Sequence, residues 1–362
     1  MKNLLRRNCL SVGFFSSVMC LWKSGSISSP ATALLLTSGV ACFYLTKRSL
    51  RKITHRDTIV LTGCDSGLGY NLALHCHKNL SARVIAGVHG RNSLGAQELV
   101  KTGITIQEID ITDAESVEHF VEKVREYLER DNLCLRALVN NAGAMVFGEF
   151  EWQTDSQIRH QVEVNLLGTM RLTKSMLPLL RQHKSRLTIV TSHCAQEPLP
   201  GVAAYGATKA ALAAWATALR IELKKFEVDV VTFIPGSFVM ESNILLRQAD
   251  HFEKMDKAMK EEAKSVYGEY FNEYRNYLRP LSQQNALKRI NNERLFEIFE
   301  DVIMEEPARS TYKCEPWRYT YYHALLKFVP RRLHDIIVEK FVRMPTWKPP
   351  KCKKTTQVLM IS

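Results

Sequence analysis

Not one aspartate or glutamate occurs in the first 56 residues of this 362-residue chain, whereas nine lysines and arginines do. Those nine (Lys2, Arg6, Arg7, Lys23, Lys47, Arg48, Arg51, Lys52 and Arg56) supply most of the formal net charge of +12. The remaining chain is close to neutral, which removes the main support for nucleic-acid binding. A C-x-x-C pair is also missing. The nine cysteines are scattered and odd in number, which speaks against a disulfide framework and against a zinc site, so no metal is expected. Internal repeats are absent, which excludes a solenoid.

A long apolar run is lacking as well. The basic leader holds two shorter ones, Cys9 to Trp22 and Ala31 to Leu45, separated by a Ser-rich loop with one lysine. Each falls below the ~20 residues that usually span a bilayer. Together they read as a membrane hairpin, or as one spanning and one interfacial segment. Basic clusters on both outer ends place the body in the cytosol by the positive-inside rule. The reading adopted is an endoplasmic-reticulum anchor. A mitochondrial targeting segment, rich in Arg and Ser and free of acids, is the alternative, and a cleaved secretory signal is a third.

From Asp57 the pattern becomes strand, glycine turn, helix, repeated. Strands are expected at Thr58–Thr62, Arg83–Val88, Thr105–Ile109, Ala137–Asn140, Leu187–Thr191 and Asp229–Ile234, with helices such as Ala114–Arg130 and Thr154–Gln182 between them. That alternation predicts an α/β fold, a Rossmann-type doubly wound parallel sheet, with ligands beyond the carboxyl ends of its strands. After Pro235 the chain turns charged and helical, with no strand signal to about residue 310. Helices are expected over His251–Lys264 and Tyr267–Leu278, and an amphipathic stretch over Tyr319–Val342. The organisation is thus a leader (1–56), a dinucleotide-binding catalytic part (57–245), a helical substrate-binding extension of the same domain (246–345) and a basic tail (346–362).

Two features carry chemistry. Strand one runs into Thr62-Gly63-Cys64-Asp65-Ser66-Gly67-Leu68-Gly69 and then a helix, Tyr70–His77. Glycines there allow a tight turn and close approach to a pyrophosphate, which the helix N-terminus would bind. Tyr205 and Lys209 stand four apart, and none of the other eleven tyrosines has a lysine at that spacing. On a helix the ammonium would lie beside the phenol and favour its ionisation. Alone, the pair fits an amphipathic helix with an exposed Tyr and Lys better than it fits a site.

The order of motifs resembles the short-chain dehydrogenase/reductase family over roughly residues 57 to 245. Gly63-x-x-x-Gly67-x-Gly69 matches its cofactor loop and Asn140-Asn141-Ala142-Gly143 its N-N-A-G. Asp110 followed by Ile111 closes strand three, and Pro235-Gly236 closes strand six. Asn165, Ser192, Tyr205 and Lys209 fall at the spacing of its catalytic tetrad. Thr-Gly-Cys-Asp-Ser-Gly-Leu-Gly and Leu177-Pro-Leu-Leu-Arg181 are similar to the membrane-associated branch of 17β-hydroxysteroid dehydrogenase type 2, microsomal retinol dehydrogenases and 3-hydroxybutyrate dehydrogenase, with an insect ecdysteroid-pathway enzyme within it.

That resemblance implies hydride transfer between NAD(P) and a carbinol or carbonyl carbon. Tyr205 is the implied acid or base, Lys209 its electrostatic partner and a ribose ligand, Ser192 the holder of the reacting oxygen, and Asn165 the holder of a relay water. Residues 63–69, Asp110, Ile111, Asn141, Ala142, Gly143, Pro235 and Gly236 are the implied cofactor contacts. Asn140 is expected to stabilise the sheet, His193 to line the pocket or face solvent, and Cys64 to be a tolerated small residue. Strand two ends without the carboxylate that usually selects NAD; His89 and Arg91 stand there instead, which favours NADP over NAD. Met240 replaces the Thr that often grips the carboxamide. A lipophilic substrate is implied, a steroid or sterol first, with a lid of helices after Met240 whose apolar faces carry Phe252, Met255 and Met259, positions that plain packing would also explain. Retinol, a short hydroxy acid, or a silent cofactor-binding scaffold are the alternatives, and a homodimer is the default assembly.

Overall fold

The computed structural model describes residues 48–236, 243–282, 287–326, 328–342 and 344–347, with Lys23, Ser24, Ser28, Thr32 and Leu36 as isolated positions before them. Apart from Thr32 and Leu36, the two leader runs lie outside the described residues, as does Met240. Two compact units are present. One comprises Met1–Arg51 with Glu305–Pro307; in it Ser49–Leu50 pairs antiparallel with Glu305–Glu306. The other, Lys52–Met304 with Ala308–Ser362, holds the sheet, its helices and the helical extension.

In chain order the second unit runs β1 (Asp57–Thr62), α1 (Gly67–Lys78), β2 (Arg83–Val88), α2 (Leu94–Lys101), β3 (Thr105–Glu108), α3 (Ala114–Arg130) and β4 (Cys134–Asn140). There follow α4 (Asp155–Val162), a π turn (Glu163–Gly168), α5 (Thr169–Gln182), β5 (Arg186–Val190), α6 (Ala203–Leu223) and β6 (Asp229–Ile234). The extension contributes α7 (Gln248–Ala258), α8 (Glu261–Ser282), α9 (Glu293–Met304), β7 (Thr311–Lys313), α10 (Trp317–Leu326) and α11 (Arg331–Val342).

All seven strands are parallel, in the order β3-β2-β1-β4-β5-β6-β7. Central strands such as DTIVLT are buried throughout because helices cover both faces of the sheet. Alternate residues feed two cores. Ile59 and Leu61 pack with Leu72, Leu99 and Phe299 on one face, and Val60 with Phe120, Met176 and Leu212 on the other. The order reverses between β1 and β4, so a crevice opens at their carboxyl ends, where ligands of such sheets bind.

Several expectations need correction. The seventh strand, β7, adds to the sheet edge beside β6 and was not expected. It is three residues long, and its pairing with Thr232–Ile234 is a contact some 79 residues distant that leaves no local pattern. The helix expected over His251–Lys264 ends at Ala258, and the next begins at Glu261. Tyr319–Val342 is two helices, parted where Pro330 starts the second. Within Thr154–Gln182 the helix widens into the π turn that carries Asn165.

Candidate active site

The glycine loop forms because β1 ends in a residue that braces it. Thr62 Oγ1 accepts the N–H of Asn141 at 3.2 Å and of Ala142 at 3.1 Å, joining the ends of β1 and β4. Asn141 Nδ2 donates back to the Thr62 carbonyl at 2.8 Å. Gly63 has φ +69°, and a Cβ there would lie 2.8 Å from Ala142 Cα. A Cβ on Gly69 would meet the Gly63 carbonyl oxygen and lie 2.5 Å from Asn141 Nδ2. Without side chains at these points the loop can turn into α1, whose free N–H groups face an open cleft.

That cleft is about 420 Å³ and is walled by the loop, Asp110, Ile111 and the Asn141–Gly143 segment. Asp110 Oδ1 accepts from Thr112 N at 2.9 Å and Thr112 Oγ1 at 2.7 Å. Partial burial pushes its carboxyl up, but these bonds outweigh it and hold the group below its ordinary value. Asp65 accepts the backbone N–H groups of His89 at 2.8 Å and Gly90 at 3.1 Å, so it ties the glycine loop to the end of β2.

Two expected cofactor contacts stand elsewhere. Cys64 is fully buried, its thiol directed at the Leu61 carbonyl and raised by burial, so it belongs to the core and not to the cleft wall. Arg91 is exposed, 3.4 Å from Glu108, and is no part of that wall. His89 does line it, 3.6 Å from Asp110.

A second cavity of about 520 Å³ adjoins the first, sharing Leu68, Asn141, Gly143 and Ile244. Ser192, Tyr205, Lys209, Pro235 and Gly236 all lie on its wall. Ser192 caps a short 3-10 turn, accepting Cys194 N at 3.2 Å, and its hydroxyl favours the ionised form of the Tyr205 phenol. Lys209 Nζ donates to the Val190 carbonyl at 3.1 Å and lies 5.8 Å from the Tyr205 ring centre. Their spacing on α6 turns both toward the cavity.

The charge balance differs from the expectation that Lys209 lowers Tyr205. Burial pushes Tyr205 well above its ordinary value, the Cys194 thiol adds to this, and the Ser192 hydrogen bond opposes it. Burial also lowers Lys209 to about 8. A lysine whose folded pKa is depressed costs the fold nothing above its ordinary value of 10.5 and the full penalty below about 8. That penalty is about 3 kcal/mol. Without bound ligand, Lys209→Met is therefore expected to gain stability relative to the parent as pH falls from 10.5 to 8. Denaturant titrations at both pH values check this; a constant difference between the two proteins contradicts it.

Asn165 is completely buried in the π turn. Its Nδ2 donates to Ala144 O at 2.8 Å and Thr208 Oγ1 at 3.0 Å, and its Oδ1 accepts Ala144 N at 2.7 Å. It therefore clasps the end of β4 to α6. Asn140 bonds Thr173 Oγ1 at 2.8 Å at the sheet centre. His193 stacks edge-on against Tyr319 at 5.6 Å and lines the second cavity.

Of the two readings of the lid residues, packing is the one that holds. Phe252 and Met255 are buried with Trp152, Phe271 and Tyr274, so they hold α7 and α8 together. The cavity wall is made instead by Leu245, Tyr277, Leu278 and Leu281. Sequence reasoning also missed Gln161 and Gln248. Gln161 accepts Val146 N at 3.0 Å, and Gln248 brackets the Phe147 peptide, so both fix the loop after β4. A glutamine inside a helix carries no signal of such a partner.

A glycine loop and a Ser-Tyr-Lys group on two joined cavities define a dinucleotide-dependent oxidoreductase site. Residues 57–250 match the short chain dehydrogenase model. The chain is 33% identical over 339 residues to estradiol 17-beta-dehydrogenase 2 of Mus musculus, covering 89% of this chain and 85% of that one. It is 35% identical over 229 residues to mitochondrial D-beta-hydroxybutyrate dehydrogenase of Rattus norvegicus (59% and 65% covered). With retinol dehydrogenase 7 of Rattus norvegicus it shares 28% over 284 residues (77% and 87% covered). The chain belongs to the short-chain dehydrogenase family. It is an oxidoreductase acting on CH–OH groups, of a family that binds NAD(P).

Proposed function

We propose that this enzyme interconverts a hydroxyl and a ketone on a lipophilic substrate, a steroid or sterol, in association with a membrane. The observation that carries this reading is the meeting of Ser192, Tyr205 and Lys209 on one cavity whose remaining wall is largely Met145, Leu199, Leu245, Leu278 and Leu281. Its volume lies within the ~300–1,000 Å³ range of small-molecule sites. Lys209, which the catalytic group uses, is its only Lys or Arg among the described residues, and this favours an apolar alcohol over a short hydroxy acid. The oestradiol and retinol enzymes among the relatives support an apolar alcohol.

The glycine cradle fits a dinucleotide, since side chains at Gly63 and Gly69 would fill it. A bound nicotinamide supplies or accepts the hydride. Tyr205 gives its proton to the carbonyl oxygen in reduction and takes one from the hydroxyl in oxidation. Ser192 holds that oxygen and stabilises the phenolate. Lys209, charged below about pH 8, would hold the ribose and would face the negative charge that develops on the phenol. Both N–H donors of Asn165 are used, so a relay water would donate to the second lone pair of Oδ1.

Cofactor preference turns on Asp65. The sequence favours NADP(H) through His89 and Arg91. Those side chains lie beside Asp110 and Glu108, and the cleft wall carries the carboxylates of Asp65 and Asp110. A 2′-phosphate would enter next to these anions, so we infer a preference for NAD(H). Asp65→Asn is then expected to improve NADPH binding relative to NADH by about 5–10-fold, and Arg91→Glu to leave the ratio unchanged. Fluorescence titration of both cofactors reads this without a substrate. A shift toward NADH in Arg91→Glu contradicts it and restores the NADP(H) reading.

Residues 1–56 are proposed as the membrane segment, with the body facing the cytosol at the endoplasmic reticulum. Protease protection of a tagged body in microsomes tests the topology; fractionation with mitochondria favours the alternative.

A further inference from the structure

The helices that close the substrate cavity are apolar on two faces. Inward, Leu326 and Val338 are buried, Tyr319 of α10 and Val342 of α11 line the cavity, and His334 Nε2 lies 2.6 Å from Glu197. Outward, Tyr321 and Leu325 of α10, Phe328 in the turn, and Leu333 and Ile336 of α11 are exposed, Phe328 by 88%. Burying the first face explains half of this amphipathicity. Among the described residues the second face is left exposed.

We propose that this outer face of α10 and α11 is a membrane-docking surface that opens the cavity toward an anionic lipid bilayer. Three observations choose lipid. At 100° per residue, Leu333, Ile336 and Lys340 span only about 60° of α11, with Arg332 beside Ile336 and Glu339 and Asp335 following on that same side. Apolar residues with Arg332 and Lys340 among them suit the boundary between acyl chains and anionic headgroups. Next, Trp347 is 43% exposed just beyond α11, and the sequence continues with Lys348, Lys351, Lys353 and Lys354 and no acid. Finally, the surface is built on the same two helices as the cavity wall, so a lipophilic ligand could pass from bilayer to Ser192 with little exposure to water. This last point rests on the substrate class proposed above; the docking itself does not.

The test uses the full chain reconstituted in vesicles of phosphatidylcholine, with and without phosphatidylserine. p-Benzoylphenylalanine is placed at Phe328 or Leu333, and at Ile221 on α6, 68% exposed, as the control. Mass spectrometry after illumination reads lipid adducts, with no need for turnover. Adduct at 328 and 333 should exceed that at 221 by about tenfold. Arg332→Glu with Lys340→Glu should lower the yield at 328 severalfold in the phosphatidylserine vesicles and little in phosphatidylcholine alone. Equal yields at 328 and 221, or cross-links at 328 to a second copy of the chain, overturn the proposal. The control separates docking from simple tethering by the leader, and loss of steroid turnover leaves the result standing.

Discussion

Tyr205→Phe is expected to lower turnover by about 10²–10⁴-fold while cofactor affinity stays within about twofold of the parent. The change removes one hydroxyl and keeps a ring that packs with Met145, Cys194, Val202 and Leu245, so the fold should survive. What it removes is the hydroxyl whose ionisation Ser192 favours and which sits on a ring with Lys209 beside it. Burial keeps the phenol protonated well above its ordinary value. Oxidation therefore has to ionise a reluctant group, whereas reduction starts from its stable form. The loss should appear in kcat with KM little changed, because the interaction is made in the transition state. Single-turnover rates in both directions, set beside cofactor titrations, check this. Residual activity near the parent level would remove Tyr205 from the acid–base role.

Gly69→Ala is expected to weaken cofactor binding by about 100-fold or more, through crowding and not through charge. The added methyl would meet the Gly63 carbonyl oxygen and the Asn141 amide. Neither can yield cheaply. Asn141 is tied to the Thr62 carbonyl, and Thr62 to the backbone of Asn141 and Ala142, so relief would have to open the joint between β1 and β4. Overpacking of this kind costs about 1–3 kcal/mol of stability. Calorimetric titration of the dinucleotide and a thermal melt read the two effects. Parent-like affinity with an unchanged melt would contradict the cradle described for this loop.

The cofactor half of the site was legible because its determinants are local. A strand, three glycines and a helix within some twenty residues specify a turn whatever the rest of the chain does. Strand ends were found within one to three residues, since buried parallel strands are apolar runs closed by Thr62, Asn140 and Pro235. The substrate half was harder to read. Phe252 and Met255 looked like a lid face, yet Trp152, about a hundred residues earlier, buries them. Gln161 and Gln248 support the loop after β4 through partners that no periodicity reveals. The π turn at Asn165 follows from tertiary closeness: a Cβ on Gly168 would lie 2.8 Å from the Ile111 carbonyl oxygen. The Tyr205–Lys209 spacing correctly placed two side chains on one cavity. It could not foretell that burial, not their mutual field, would dominate both ionisations.

Carbonyl and alcohol turnover by the purified full chain is the most direct test of the central claim. The protein would be supplied with NAD(H) or NADP(H) and a panel of steroid and sterol alcohols and ketones, retinol, and short hydroxy acids, with Tyr205→Phe in parallel. The account predicts stoichiometric conversion of a steroid or sterol with cofactor turnover, lost in the variant. Cofactor binding without conversion of any panel member, or conversion that survives Tyr205→Phe, would contradict it.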